Sequence, residues 1–158
     1  MSMQEKNLVY YHDGVVDVGI IVVSLFNNPL QEEATRFIAD VMLQKRRAAI
    51  PLTTIIEAYH IATKYLKLPR IEIKKILVKM LETRSRAFYP YLYIEQVIDT
   101  LEYATYYRVE SWDGYLIKLA KNIGNNIIYN QKPRPLRRGG GQFFNWLILN
   151  IKSKVFWS

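Results

Sequence analysis

The chain of 158 residues is long enough for one domain with one buried core, and half of its residues are hydrophobic, which excludes disorder over most of its length. It has no cysteine and two histidines, which excludes disulfides, thiolate metal sites and a zinc site built from histidines. The first residues, MSMQEKNLVYY, are too polar for a signal peptide, and no apolar run reaches the roughly 18 residues of a membrane span. We therefore expect a soluble, cytoplasmic protein, in which any metal is a hard ion held by carboxylates.

The net charge of +8 is distributed unevenly along the chain. All 14 acidic residues lie within residues 1–113, where 14 lysines and arginines balance them. The other 8 basic residues lie in the last 45 residues, which therefore carry the whole excess. Such a distribution favours an anionic partner, nucleic acid or an anionic surface. A solvated basic tail is the alternative.

The first half of the chain alternates short apolar runs with helical patterns. The run LVYYHDGVVDVG predicts a strand region that ends at Asp17, and residues 18–26 predict a short helix. Residues 30–46 have the period of an amphipathic helix, and AAIP predicts a buried strand. The segment PLTTIIEAYHIATKYLKL then predicts a helix that Thr53 or Thr54 caps.

The second half continues the alternation. Helices are predicted over residues 70–86, 94–107 and 111–121, with a strand-like FYPYLY after the first and the strand IIYN after the last. Strands that alternate with helices indicate an α/β fold with a mostly parallel sheet. In such sheets, functional sites lie at the carboxyl ends of the strands.

After residue 130 the composition changes. The stretch QKPRPLRRGGG predicts a linker, and QFFNWLILNIKSKVFWS is apolar. We expect one domain over residues 1–132 and, over residues 133–158, a tail that binds a partner, exchanges between two copies or packs as a helix. This region contains a basic cluster that we expect to contact phosphates, and the alternative is a flexible basic linker without that role. The cluster consists of Lys132, Arg134, Arg137 and Arg138.

Three acids lie at positions that a parallel sheet would bring close together. Asp17 ends the first strand, Glu57 lies early in the helix after AAIP, and Asp113 lies in the first turn of the last helix. Clustered carboxylates repel one another and need a cation or a proton, and Mg²⁺ or Mn²⁺ suits oxygen ligands. The alternative is that Asp17 only ends a strand and Asp113 only stabilises a helix start. Glu57 lies on an apolar stripe with Ile56 and Ile61, where an unpaired acid is costly to bury. We interpret Glu110 as a solvated or capping acid, with an auxiliary metal ligand as the alternative.

These motifs resemble those of PIN-domain proteins, the family of VapC-type ribonuclease toxins, over about residues 8–132. The matching stretches are VDVGIIVVSLF with Asp17, PLTTIIEAYHIATKYLK with Glu57 and VESWDGYLIKLAKNIG with Asp113, 40 and then 56 residues apart. Where that family has a fourth acid, this chain has IIYNQKPRP and therefore Asn130 or Gln131. Val18 stands where threonine or serine is usual, and Gly114 where alanine is common.

The resemblance implies a three-layer α/β/α sandwich and a metal-dependent endoribonuclease, the toxin of a toxin–antitoxin pair. Asp17, Glu57 and Asp113 would be catalytic and would hold Mg²⁺ or Mn²⁺ together with Asn130. It further implies an RNA substrate, a homodimer and an antitoxin as inhibitor. Because the fourth acid is missing, the alternative is a catalytically impaired PIN-fold protein that binds RNA or a protein partner.

Overall fold

A computed structural model describes residues 13–123, 127–130 and 147–150, in which strands and helices alternate as the sequence predicts. The strands are β1 Gly14–Val16, β2 Ala48–Pro51, β3 Phe88–Tyr89, β4 Ile127–Asn130 and β5 Leu147–Asn150. The helices are α1 Val18–Ser24, α2 Gln31–Met42, α3 Leu52–His60, α4 Arg70–Glu82, α5 Ile94–Tyr107 and α6 Ser111–Ile123. A π-helical turn, Ile61–Tyr65, extends α3.

The five strands form one sheet in the order β3-β2-β1-β4-β5. Strands β1 to β4 pair in parallel, with Val15 opposite both Ala49 and Ile128, and β5 pairs antiparallel with β4. Parallel neighbours require crossovers, which the helices provide, and all four carboxyl ends therefore meet at one edge. This confirms the mostly parallel sheet.

Successive strand residues face opposite sides of the sheet and thereby divide the core in two. Val16 and Ile50 pack with side chains of α1 to α4 on one face. Val15 and Ala49 pack with side chains of α6 on the other face. Helices therefore cover both faces, and the predicted three-layer α/β/α arrangement is confirmed.

One local prediction is wrong, because α3 begins earlier than the predicted cap. Pro51 holds the cap position, and no side chain makes a capping hydrogen bond there. Both threonines thus lie inside the helix, and Thr54 is buried there. The helix starts directly from β2, which leaves no extended residue for a threonine cap.

The expected division into residues 1–132 and 133–158 stays a prediction. Leu147–Asn150 within the second part adds the edge strand β5, which the sequence did not predict as a strand. Residues 131–146 and 151–158 lie outside the described residues. In the part of the chain that the structure describes, no helix has both the length and the hydropathy of a membrane span.

Candidate active site

Asp17 lies at the carboxyl edge of the sheet, between β1 and α1. Its carboxylate Oδ1 accepts a hydrogen bond of 2.7 Å from the Val18 N–H, so that it caps α1. Its own N–H donates to the Tyr129 carbonyl on β4, at 2.9 Å. The side chain is 8% exposed, which means that a carboxylate lies in a nearly dry position next to two strand ends.

Glu57 reaches the same edge from the second turn of α3. The predicted stripe is incorrect in one respect: Ile56 is 68% exposed, and the buried face of α3 runs through Thr54, Ile55 and Ala58. Glu57 lies half-buried beside that face. Its burial, and after it the charges of Asp17, Asp113 and Glu110, together raise the pKa of the carboxyl group from 4.5 to about 7.

Asp113 and Glu110 come from the start of α6. Asp113 is half-buried in the first turn of the helix. Glu110 is exposed just before the helix, and its carbonyl accepts a hydrogen bond of 3.0 Å from the Gly114 N–H. Acids three positions apart at a helix start lie on the same side. That spacing is the sequence signal which could have placed Glu110 with the three predicted acids.

At the carboxyl edge, three carboxylates from two other elements of the fold therefore act electrostatically on Glu57. Their oxygen atoms are the ligands that Mg²⁺ and Mn²⁺ prefer. As the side chains stand, no three His, Cys, Asp or Glu residues within residues 13–123 and 127–130 are grouped so that they could hold a metal ion. Carboxylate oxygens are suitable ligands for such an ion, but these side chains would have to move closer together to bind it.

The other predicted site residues follow β4. Asn130 is the last residue of that strand, one position beyond Tyr129, and its backbone pairs with Leu147. This places its backbone at the carboxyl edge next to β1; its side chain is not among the described ones. Lys132, Arg134, Arg137 and Arg138 lie outside the described residues.

A cavity of about 510 Å³ lies elsewhere, between α2 and α4. Its lining is mostly apolar and includes Ile38, Met42, Ile76 and Met80. None of the four carboxylates lines it. The charged edge and this cavity are therefore separate features, and the chemistry belongs to the edge.

A scan of the sequence against models of protein families finds no match. A search of curated proteins also finds none. The geometry of the carboxylates therefore carries the functional argument.

Proposed function

We propose that this protein is a PIN-like, metal-dependent endoribonuclease, the toxin of a toxin–antitoxin pair. The observation that supports the proposal is the pKa of Glu57, which burial and then the charges of Asp17 and Asp113 raise to about 7. Carboxylates that repel one another at a half-buried position destabilise the free protein, and a bound divalent cation relieves that repulsion. Such an arrangement is typical of functional sites.

In this proposal Asp17, Glu57 and Asp113 hold Mg²⁺ or Mn²⁺, and Asn130 contributes a neutral oxygen. When bound, the ion supplies an activated water and neutralises charge for cleavage of an RNA phosphodiester. Asp17 is fixed by its hydrogen bond to the Val18 N–H, so it serves as the rigid ligand. Glu57 has to release its proton to become a ligand, which favours binding above about pH 7.

The proposed partners follow from charge and from the resemblance to PIN domains. Lys132, Arg134, Arg137 and Arg138 would contact the phosphates of the RNA. The protein would work in the cytoplasm as a homodimer, and an antitoxin would inhibit it.

A second candidate is a PIN-fold protein with an impaired site that binds RNA or a protein. The sequence supports it, because no Asp or Glu follows Asp113. A site with three acids and an amide binds a divalent cation with less charge than a site with four acids.

Cleavage of a labelled single-stranded RNA in the presence of Mn²⁺ distinguishes the two candidates. We expect the wild type to cut the RNA, chelation to stop it, and both Asp17→Asn and Asp113→Asn to abolish cleavage while RNA binding persists. Glu102→Gln, at an exposed acid on α5, is the matched control and should cut like the wild type. RNA binding without metal-dependent cleavage in the wild type would refute the nuclease and support the second candidate.

A further inference from the structure

The outer face of α5 carries a stripe of apolar side chains exposed to solvent. Ile94, Val97, Ile98 and Leu101 are 76%, 42%, 51% and 56% exposed, at the i, i+3, i+4, i+7 spacing of one helix face. Leu92 and Tyr93, just before the helix, are also exposed. Of the 15 large hydrophobic side chains that are exposed among the described residues, seven lie within residues 92–106.

The opposite side of α5 is already in contact with α6. Thr100 is the buried residue of α5, and its carbonyl lies against Gly114 of α6. Tyr103 and Tyr107 pack against the core cluster on that side. The exposed stripe is therefore a second apolar face, which the fold of the described residues leaves uncovered. Contiguous apolar surface of this kind marks an interaction site, in contrast to single exposed residues such as Ile71.

Acidic side chains border this stripe on one side. Glu95 and Glu102 are exposed, seven positions apart, and both lie next to Ile98 on the helix surface. Neither makes an ion pair within the described part of the chain. The third acid of the helix, Asp99, pairs with Lys118 of α6. Residues 94–107 contain no lysine or arginine, so that α5 is acidic in a chain with a net charge of +8.

The position of these acids argues against a second copy as the occupant. Two antiparallel helices related by a twofold axis bring equivalent flanks together, so that Glu95 would face Glu102 of the other copy. Like charges at such flanking positions are the feature that directs helices away from self-pairing. A helix with basic flanks would instead find complementary charge.

We propose that this face of α5 binds a basic amphipathic helix of a partner protein. The apolar stripe of that helix covers Ile94, Val97, Ile98 and Leu101, and its lysine or arginine side chains pair with Glu95 and Glu102. This is the helix-in-groove mode of recognition, in which i, i+3, i+4 and i+7 residues supply the anchors. The interaction uses none of the carboxylates of the candidate active site, so it goes beyond the proposed nuclease activity.

The test uses the full chain and two synthetic 18-residue helical peptides, one built from leucine and lysine and the other from leucine and glutamate in the same pattern. Fluorescence anisotropy should show binding of the leucine–lysine peptide and at least tenfold weaker binding of the leucine–glutamate peptide. Leu101→Asp should weaken binding of the leucine–lysine peptide at least tenfold. The double variant Glu95→Lys, Glu102→Lys should weaken binding by a similar factor, and the affinity that remains should depend less on the salt concentration. All of these side chains are exposed, so the variants should fold, which circular dichroism checks.

Matched controls lie on α4. Ile71→Asp places a charge at an isoleucine that is 67% exposed, compared with 56% for Leu101. The double variant Glu72→Lys, Glu82→Lys makes the same change of net charge as the double variant on α5. Binding that is absent in the wild type, or equally reduced by the α4 variants, would overturn the proposal. Sedimentation velocity gives a second readout. If the wild type is a dimer that Leu101→Asp converts to a monomer, a second copy occupies the face and the proposal is wrong.

Discussion

At Glu57, burial and three neighbouring carboxylates act in the same direction. Each favours the protonated form, and together they bring the pKa of the side chain to about 7. The unfolded chain loses this proton near its ordinary pKa of 4.5, whereas the folded chain keeps it to about pH 7. Between these values the folded state binds more protons, so the free energy of unfolding falls as the pH rises through this window.

Glu57→Gln removes this penalty. We expect the variant to be more stable than the wild type at pH 8 by about 1–2 kcal/mol, a value reduced for the screening at a half-buried group. The difference should shrink as the pH falls and approach zero below about pH 4.5, where the wild-type carboxyl becomes protonated in both states. Urea unfolding at pH 5 and pH 8, in the presence of a chelator, measures it. Glu82→Gln, at an exposed acid, should show no such dependence on pH; equal stability of Glu57→Gln and the wild type at pH 8 would contradict the prediction.

The contact between α5 and α6 depends on Gly114. A Cβ atom at this position would lie 2.6 Å from the Thr100 carbonyl oxygen and 2.9 Å from the Ala104 Cβ. The first of these atoms belongs to the backbone and cannot move without moving α5. This explains in physical terms why glycine, which has no Cβ atom, fits at this position.

Gly114→Ala should therefore separate the two helices. We expect the free energy of unfolding to fall by about 1–3 kcal/mol, because the clash outweighs the roughly 1 kcal/mol that alanine ordinarily gains over glycine in a helix. Thermal unfolding followed by circular dichroism measures the change. Asn122→Ala, on the exposed side of α6, is the control and should leave the stability nearly unchanged. A Gly114→Ala variant as stable as the control would show that α5 does not approach α6 so closely.

The same two helices share an ion pair between Lys118 and Asp99. Lys118 is 5% exposed, whereas Asp99 is half-buried. Asp99→Ala leaves a buried ammonium group without its partner and should lower the free energy of unfolding by about 3 kcal/mol. Lys118→Met replaces the buried charge with an apolar chain of similar length and should change it by less than about 1 kcal/mol. Denaturant unfolding of both variants tests this asymmetry, and equal losses would contradict it.

At the scale of elements, periodicity predicted the helices within a few residues. The stripes of α2 and α6 are long enough to distinguish a helix from a strand, and the predicted helix over residues 94–107 is α5 itself. The order of the strands in the sheet could not be predicted from the sequence, because strands of two to four residues contain too little pattern to show which strands pair. β5 was missed for the same reason, since a short apolar run is ambiguous between helix and strand.

The candidate site was predictable in part. The order of the strands and helices placed Asp17, Glu57 and Asp113 at one edge, because parallel strands share their carboxyl ends. The distance between the side chains could not be predicted from their spacing in the sequence. Their roles as metal ligands stay predictions, as do those of Asn130 and the basic residues that follow it.

For the whole molecule, the uneven distribution of charge along the chain is the feature that supports the proposed binding of RNA. The carboxylates lie at the sheet edge, and six of the basic residues lie beyond residue 131. Binding to single-stranded RNA releases counterions, so the logarithm of the affinity falls with the logarithm of the salt concentration, by about 0.7 for each neutralised phosphate.

Replacement of Lys132, Arg134, Arg137 and Arg138 by glutamine should reduce that slope by up to about 3. Filter binding of single-stranded RNA at several salt concentrations measures it. A control with the same net charge replaces Arg70, Lys74, Lys75 and Lys79 on α4. If both variants lose the same slope, the RNA responds to overall charge, and the proposed contact with residues 132–138 is wrong.

The proposed function requires that Asp17, Glu57 and Asp113 together bind a divalent cation. Isothermal titration of Mn²⁺ into the chelator-treated protein at pH 8 tests this most directly, with wild type, Asp113→Asn and the exposed-site control Glu102→Gln side by side. We predict that the wild type and the control bind Mn²⁺ equally and that Asp113→Asn binds it at least tenfold more weakly. Equal binding by Asp113→Asn and wild type, or no binding by the wild type, would contradict the claim.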